Sequence, residues 1–75
     1  MRQIYNASQK ELTAMAQCYL KEGILGRASY CYERMMYLGR LRRTGYLRLA
    51  LVYTKQGKDN AAERILCRYK AIYKH

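Results

Sequence analysis

Displaced by 34 residues, the chain falls back onto itself. Ala16 then meets Ala50, Tyr19 meets Tyr53, Lys21 meets Lys55, Gly23 meets Gly57, Ala28 meets Ala62 and Arg34 meets Arg68. Related residues pair in between: Leu12 with Tyr46, Met15 with Leu49, Tyr32 with Leu66 and Leu38 with Ile72. A period of this length marks a supersecondary unit that buries its apolar face only by stacking on the next copy. Few of the folds open to 75 residues satisfy it.

Within each copy the apolar residues recur at helical spacing between glycines. Helix one is predicted to start at Ser8, with Glu11 three residues later completing a capping box. Its inward face is Leu12, Met15, Ala16, Tyr19 and Leu20, an amphipathic series, and Lys21 followed by Gly23 ends it. Helix two is expected from about Gly26 to Leu38, presenting Ala28, Cys31, Tyr32 and Met35. A basic connector, Arg40-Leu41-Arg42-Arg43, leads to Thr44 as the N-cap of helix three. That helix presents Tyr46, Leu49, Ala50 and Tyr53 and stops at Gly57. Asp59 is the expected cap of helix four, whose stripe is Ala62, Ile65, Leu66, Tyr69, Ile72 and Tyr73. No stretch alternates with period two, so the expected fold is all-α, one domain over 1–75, with units at about 8–39 and 44–75.

In these residues the chain resembles the tetratricopeptide repeat family. LTAMAQCYLKEGILGRASYCYERM and YLRLALVYTKQGKDNAAERILCRY are similar to its helix–turn–helix unit, with small, aromatic and glycine residues at fixed places. Arg40 stands where the usual proline would end unit one. The resemblance implies two antiparallel helical hairpins stacked as a short right-handed solenoid. The end of unit one, with Ala28, Tyr32, Met35 and Gly39, is also similar to the pentatricopeptide repeats, which read single-stranded RNA one base per repeat. The base-selecting position of that family would fall on Ala14 and Arg48, which do not suit it, and Tyr73 stands where its glycine should be.

Fifteen Lys and Arg against five Asp and Glu give a net charge of +10. The imbalance sits in the second half, where residues 38–75 carry ten cations and two anions. Such a field draws acidic proteins, nucleic acid or anionic surfaces. The longest apolar run, Leu49-Ala50-Leu51-Val52-Tyr53, falls far short of the roughly 20 residues of a membrane span. Met1-Arg2-Gln3-Ile4-Tyr5 runs directly into polar residues rather than a leader's apolar core, so the expected location is cytoplasmic.

Cys18, Cys31 and Cys67 have no paired spacing, and His75 is the one histidine, so ordinary thiols and no metal are expected. The five acids are Glu11, Glu22, Glu33, Asp59 and Glu63; none is spaced to pair with a nucleophile, and Gly23-Ile24-Leu25-Gly26 lacks a following phosphate-loop lysine. No catalytic residues, no cofactor and no enzyme activity are expected.

The resemblance also implies a concave groove formed by one face of each first helix. Carried over by position, that face is Lys10, Thr13, Gln17, Leu20 and Lys21, then Thr44, Leu47, Arg48, Leu51, Thr54 and Lys55. An apolar middle with cationic ends suits a partner helix or extended segment with acidic flanks. Some members hold a C-terminal carboxylate with Lys and Asn residues; only Arg48 matches that set, so tail recognition is not expected. Arg40, Arg42 and Arg43 form a basic patch. On helix two, Arg27, Tyr30, Arg34 and Tyr37 form an outer row, read as a solvated face with cation–π pairs.

The expected function is therefore a small protein–protein interaction module, an adaptor or chaperone. By size and fold it resembles the small tetratricopeptide-like chaperones of bacterial secretion systems. Two units make a short array, and Ile72 and Tyr73 carry the apolar stripe to the end, so a homo- or hetero-oligomer is expected. The alternative is a basic nucleic-acid-associated protein, pentatricopeptide-like or part of a ribonucleoprotein.

Overall fold

The computed structural model describes residues 8–73. The readings that rest on Met1–Tyr5 and on His75 lie outside the described residues. The elements are four helices in order, α1 (Gln9–Lys21), α2 (Leu25–Tyr37), α3 (Arg43–Lys55) and α4 (Asp59–Ile72), with no strand among the described residues. The principal contacts join α1 to α2, α2 to α3 and α3 to α4, so each helix packs on its neighbours in sequence. The result is an all-α slab of 39 × 25 × 15 Å. A slab only 15 Å deep leaves both broad faces in solvent and confines the core to the seams between helices.

Helix ends follow local chemistry where the sequence supplies it. The Glu11 amide donates to Ser8 Oγ at 3.2 Å and the Ser8 amide to Glu11 Oε1 at 3.1 Å, closing the capping box. At the other end of α1, the Gly23 amide donates to the Leu20 carbonyl and the Ile24 amide to the Tyr19 carbonyl. These are the two bonds of a Schellman motif, which needs a left-handed residue at the turn. Gly23 supplies it with φ 78°, and Gly57 repeats the geometry after α3 with φ 77°. Gln9 and Arg43, Lys21 and Lys55, and Leu25 and Asp59 are each 34 positions apart, so the starts of both hairpins and their turns share one offset.

Three expectations need correction at the starts of the helices. Helix α2 begins at Leu25 rather than Gly26, with Ile24 at the N-cap and no side-chain cap. Thr44 is not a cap, because α3 already begins at Arg43 and Arg42 takes the N-cap position without capping through its side chain. Asp59 is the first helical residue of α4, one place inside Lys58, where its charge still complements the helix dipole.

Leu41, two residues before α3, also differs from expectation. Read as part of a basic connector, it is instead 8% exposed and belongs to the core. Gly45 makes room for it: a Cβ there would collide with the Leu41 side chain. Gly45 therefore serves close packing inside a helix, not a turn.

The core comprises Leu12, Ala16, Ala28, Cys31, Tyr32 and Met35 of the first hairpin, with Tyr46, Leu49, Ala50, Val52, Tyr53, Ala62 and Ile65 of the second. Ala28 has no exposed surface and Ala62 has 5%, as the close approach within each hairpin requires. Val52, absent from the predicted stripe, is fully buried because α3 lies between α2 and α4 and buries more than one face. On the outer helix α4 the predicted stripe is only partly covered. Leu66 and Ile72 are exposed, whereas Ala62 and Ile65 are buried. The outer row of α2 also differs from expectation, since Arg27 stacks on Tyr19 of α1 at 5.8 Å rather than on Tyr30. No described helix is long and apolar enough to cross a membrane.

Candidate binding groove

Residues four and three apart share one face of a helix, and Lys10, Thr13, Gln17, Leu20 and Lys21 do so on α1. Lys10, Thr13 and Gln17 line one depression together with Arg42, and Gln17, Leu20 and Lys21 line the next together with Arg48. Gln17 is common to both, so they form one shallow groove between α1 and the start of α3. Beneath its middle lies a cavity of about 60 Å³, floored by Tyr32, Met35 and Leu41 and rimmed by Arg40, Arg42 and Arg48.

Two hydrogen bonds hold the wall of this groove in place. Gln9 Nε2 donates to the Arg40 carbonyl at 2.9 Å, tying α1 to the segment that connects the hairpins. Thr13 Oγ1 donates to the Gln9 carbonyl at 2.8 Å and lies 3.4 Å from Met35 Sδ. The Thr13 proton is thus committed to its own helix.

The groove is cationic throughout. Lys10, Lys21, Arg40, Arg42 and Arg48 line it, and among the described residues no carboxylate does. A concave surface of one sign concentrates the opposite charge. At its floor, the Tyr32 ring is 1% exposed and its hydroxyl is buried, with the Arg48 side chain as its polar neighbour. Burial pushes the Tyr32 phenol above its ordinary range, while the charge and hydrogen bonding of the nearby Arg48 side chain oppose that shift.

The remaining expected groove residues occupy a different position. Leu47, Leu51, Thr54 and Lys55 are exposed on α3 and line none of these depressions. Leu47 is 43% and Leu51 46% exposed. Thr54 Oγ1 donates to the Ala50 carbonyl at 3.0 Å. The basic patch divides: Arg40 and Arg42 face the groove, whereas the Arg43 guanidinium stacks on Tyr73 at 4.9 Å. Tyr32, read from the sequence as a space-filling ring, also lines the cavity. Periodicity placed the ring in the core but says nothing of where its hydroxyl ends.

A second open depression, between α2, α3 and α4, is lined by Tyr37, Arg64 and Arg68 with Met36 and Ile65. Tyr37 is 75% exposed there. Cys18 and Cys67 are exposed and Cys31 is buried, and the described residues hold no cluster of three metal-ligating side chains. Compared with protein-family models, with curated proteins and with solved structures, the chain matches none.

Proposed function

We propose that the protein is a small tetratricopeptide-like interaction module, an adaptor or chaperone acting in the cytoplasm without catalysis. It binds an acidic segment of a protein partner, helical or extended, in the groove between α1 and α3. One observation carries this reading: the groove is lined by five cations and no acid among the described residues, and α3, which lends it Arg48, also exposes Leu47 and Leu51. Cations at the rim guide acidic flanks, and the apolar flank supplies buried area. Leu66 and Ile72 remain uncovered on α4, which fits a chain that works as part of a homo- or hetero-oligomer.

The nucleic-acid reading draws on a different surface. Single strands are held by stacking on exposed aromatic faces beside cations. The exposed tyrosines, Tyr30 and Tyr37, lie on α2 and neither lines the groove; Tyr37 lines the depression with Arg64 and Arg68. Capture of partners from the native cell, with half the sample treated with nuclease, separates the two. A protein retained after nuclease treatment, with binding that survives moderate salt, supports the groove reading. Retention that vanishes with nuclease, and weakens steeply with salt, overturns it.

A further inference from the structure

We infer that the protein stacks head to tail on further copies of itself, α1 of one copy packing on α4 of another as α3 packs on α2 within the chain. The 34-residue offset supplies the template. By position α1 corresponds to α3 and α4 to α2, so the seam between the hairpins joins the same two kinds of helix that stand at the ends of the chain. Helices α2 and α3 each have two principal neighbours, whereas α1 packs mainly on α2 and α4 mainly on α3.

Each half of that seam recurs at one end with less cover. On α3, Leu49 and Val52 have no exposed surface and Tyr53 has 8%. Their counterparts on α1 are Met15 and Tyr19, both half-buried, and Cys18, which is exposed. On α2, Tyr32 is 1% and Met35 2% exposed, but their counterparts on α4 are Leu66, 37% exposed, and Tyr69, half-buried. All five counterparts are apolar or aromatic, although a terminal repeat that faces only water needs a polar outer face. Uncovered apolar rows of this kind mark interaction sites.

A second copy is the one occupant that fits both ends, because each chain carries both halves of a seam it already forms internally. The contact joins two different surfaces, so it is heterologous and leaves an α1 and an α4 free to recruit further copies. It is also weaker than the internal seam. Glu63 and Lys70 stand in the places of Ser29 and Met36, and copies of net charge +10 repel one another. Lys10, Thr13 and Gln17 lie on another face of α1 from Met15 and Cys18, so stacking leaves the groove open. The inference thus rests on the oligomer in the proposed function and not on the groove.

Sedimentation equilibrium of the full chain, in reductant and across a concentration series, tests the stack. The parent's mass should rise past two chains, and more readily at higher salt, which screens the repulsion between copies. Cys18→Lys blocks the α1 end and Leu66→Lys the α4 end, both at exposed positions, so each variant alone should remain a single chain. Mixed in equal amounts, they retain one complementary pair of ends and should form two-chain species and nothing larger. A parent that stays a single chain at every concentration would overturn the stack. So would a plateau at two chains that Cys18→Lys leaves unchanged, which assigns a symmetric contact between α4 helices. In the parent, alkylation of Cys18 should slow as the mass grows, because the thiol takes the buried place of Val52; an unchanged rate would overturn the assignment without any substitution. Leu66→Lys lies outside the groove and should still capture an acidic partner. Capture by a parent that never self-associates therefore overturns the stack and leaves the groove standing, whereas stacking without capture overturns the groove alone.

Discussion

The Tyr53 hydroxyl donates to the Glu33 carboxylate, joining α3 to α2 across the seam between the hairpins. Tyr19, at the matching place in the first hairpin, reaches no preceding helix among the described residues and stays half-buried under Arg27. Tyr53 is 8% exposed, and burial, reinforced by the adjacent Glu33 charge, holds its phenol well above the ordinary 10.0. Burial also raises the Tyr32 phenol and the Cys31 thiol. Each of these groups holds its proton more tightly folded than unfolded. Their contribution is complete below the unfolded values, 9.0 for the thiol and 10.0 for the phenols, and is lost as pH climbs through the raised ones. Urea midpoints should therefore fall progressively above about pH 9. Tyr53→Phe should cost about 1 kcal/mol at pH 7 and flatten the alkaline fall. A variant as stable as the parent, with the same alkaline slope, would refute the contact.

Gly45 and Leu41 form the second testable pair. Gly45→Ala gains about 1 kcal/mol of helix propensity, but its methyl collides with Leu41, and overpacking costs roughly 1–3 kcal/mol. A net loss is expected in the parent. In a Leu41→Ala background the collision disappears, so the same Gly45→Ala change should become stabilising. A double-mutant cycle by urea denaturation reads the coupling directly; additive effects would show that the two residues do not touch.

Within each hairpin, Ala28 and Ala62 mark the closest approach, and neither has space for a longer side chain. Replacing either with Leu should cost roughly 1–3 kcal/mol. Ala28, completely enclosed between α1 and α3, should be the more sensitive of the two, because the outer face of α4 can give way. Unchanged melting temperatures by circular dichroism in both variants would contradict the packing described here.

What the sequence disclosed was local or periodic. Ser8 and Glu11 are three residues apart, and the glycines at 23 and 57 follow a lysine-ended helix, so these ends could be read from neighbouring residues alone. That Lys10, Thr13, Gln17 and Lys21 share one face of α1 was legible for the same reason, from their spacing alone. Leu41, Gly45 and Val52 were not, because each owes its burial to a helix distant in sequence. A single apolar stripe also underestimates a helix packed on two sides, as α3 is, and overestimates one packed on a single side, as α4 is.

The groove itself yields the prediction that separates the two function classes. Leu51 is 46% exposed on α3, so Leu51→Asp should leave the free chain close to parental stability. If an acidic, partly apolar segment lies there, the new carboxylate meets apolar surface and acidic flanks together, and binding should weaken by several kcal/mol. Changing Lys10 and Lys21 to Gln removes rim charges, which should slow association and reduce its salt dependence while leaving dissociation nearly unchanged. Changing Tyr37 to Ala with Arg64 and Arg68 to Gln removes the aromatic and basic lining of the other depression, and should leave partner binding intact. A nucleic-acid binder predicts the opposite order, with the triple change abolishing affinity and Leu51→Asp acting only through its charge. Surface-binding kinetics of the three variants against the captured partner distinguish these orders. Unfolding of Leu51→Asp would assign Leu51 to the core and remove it from the groove.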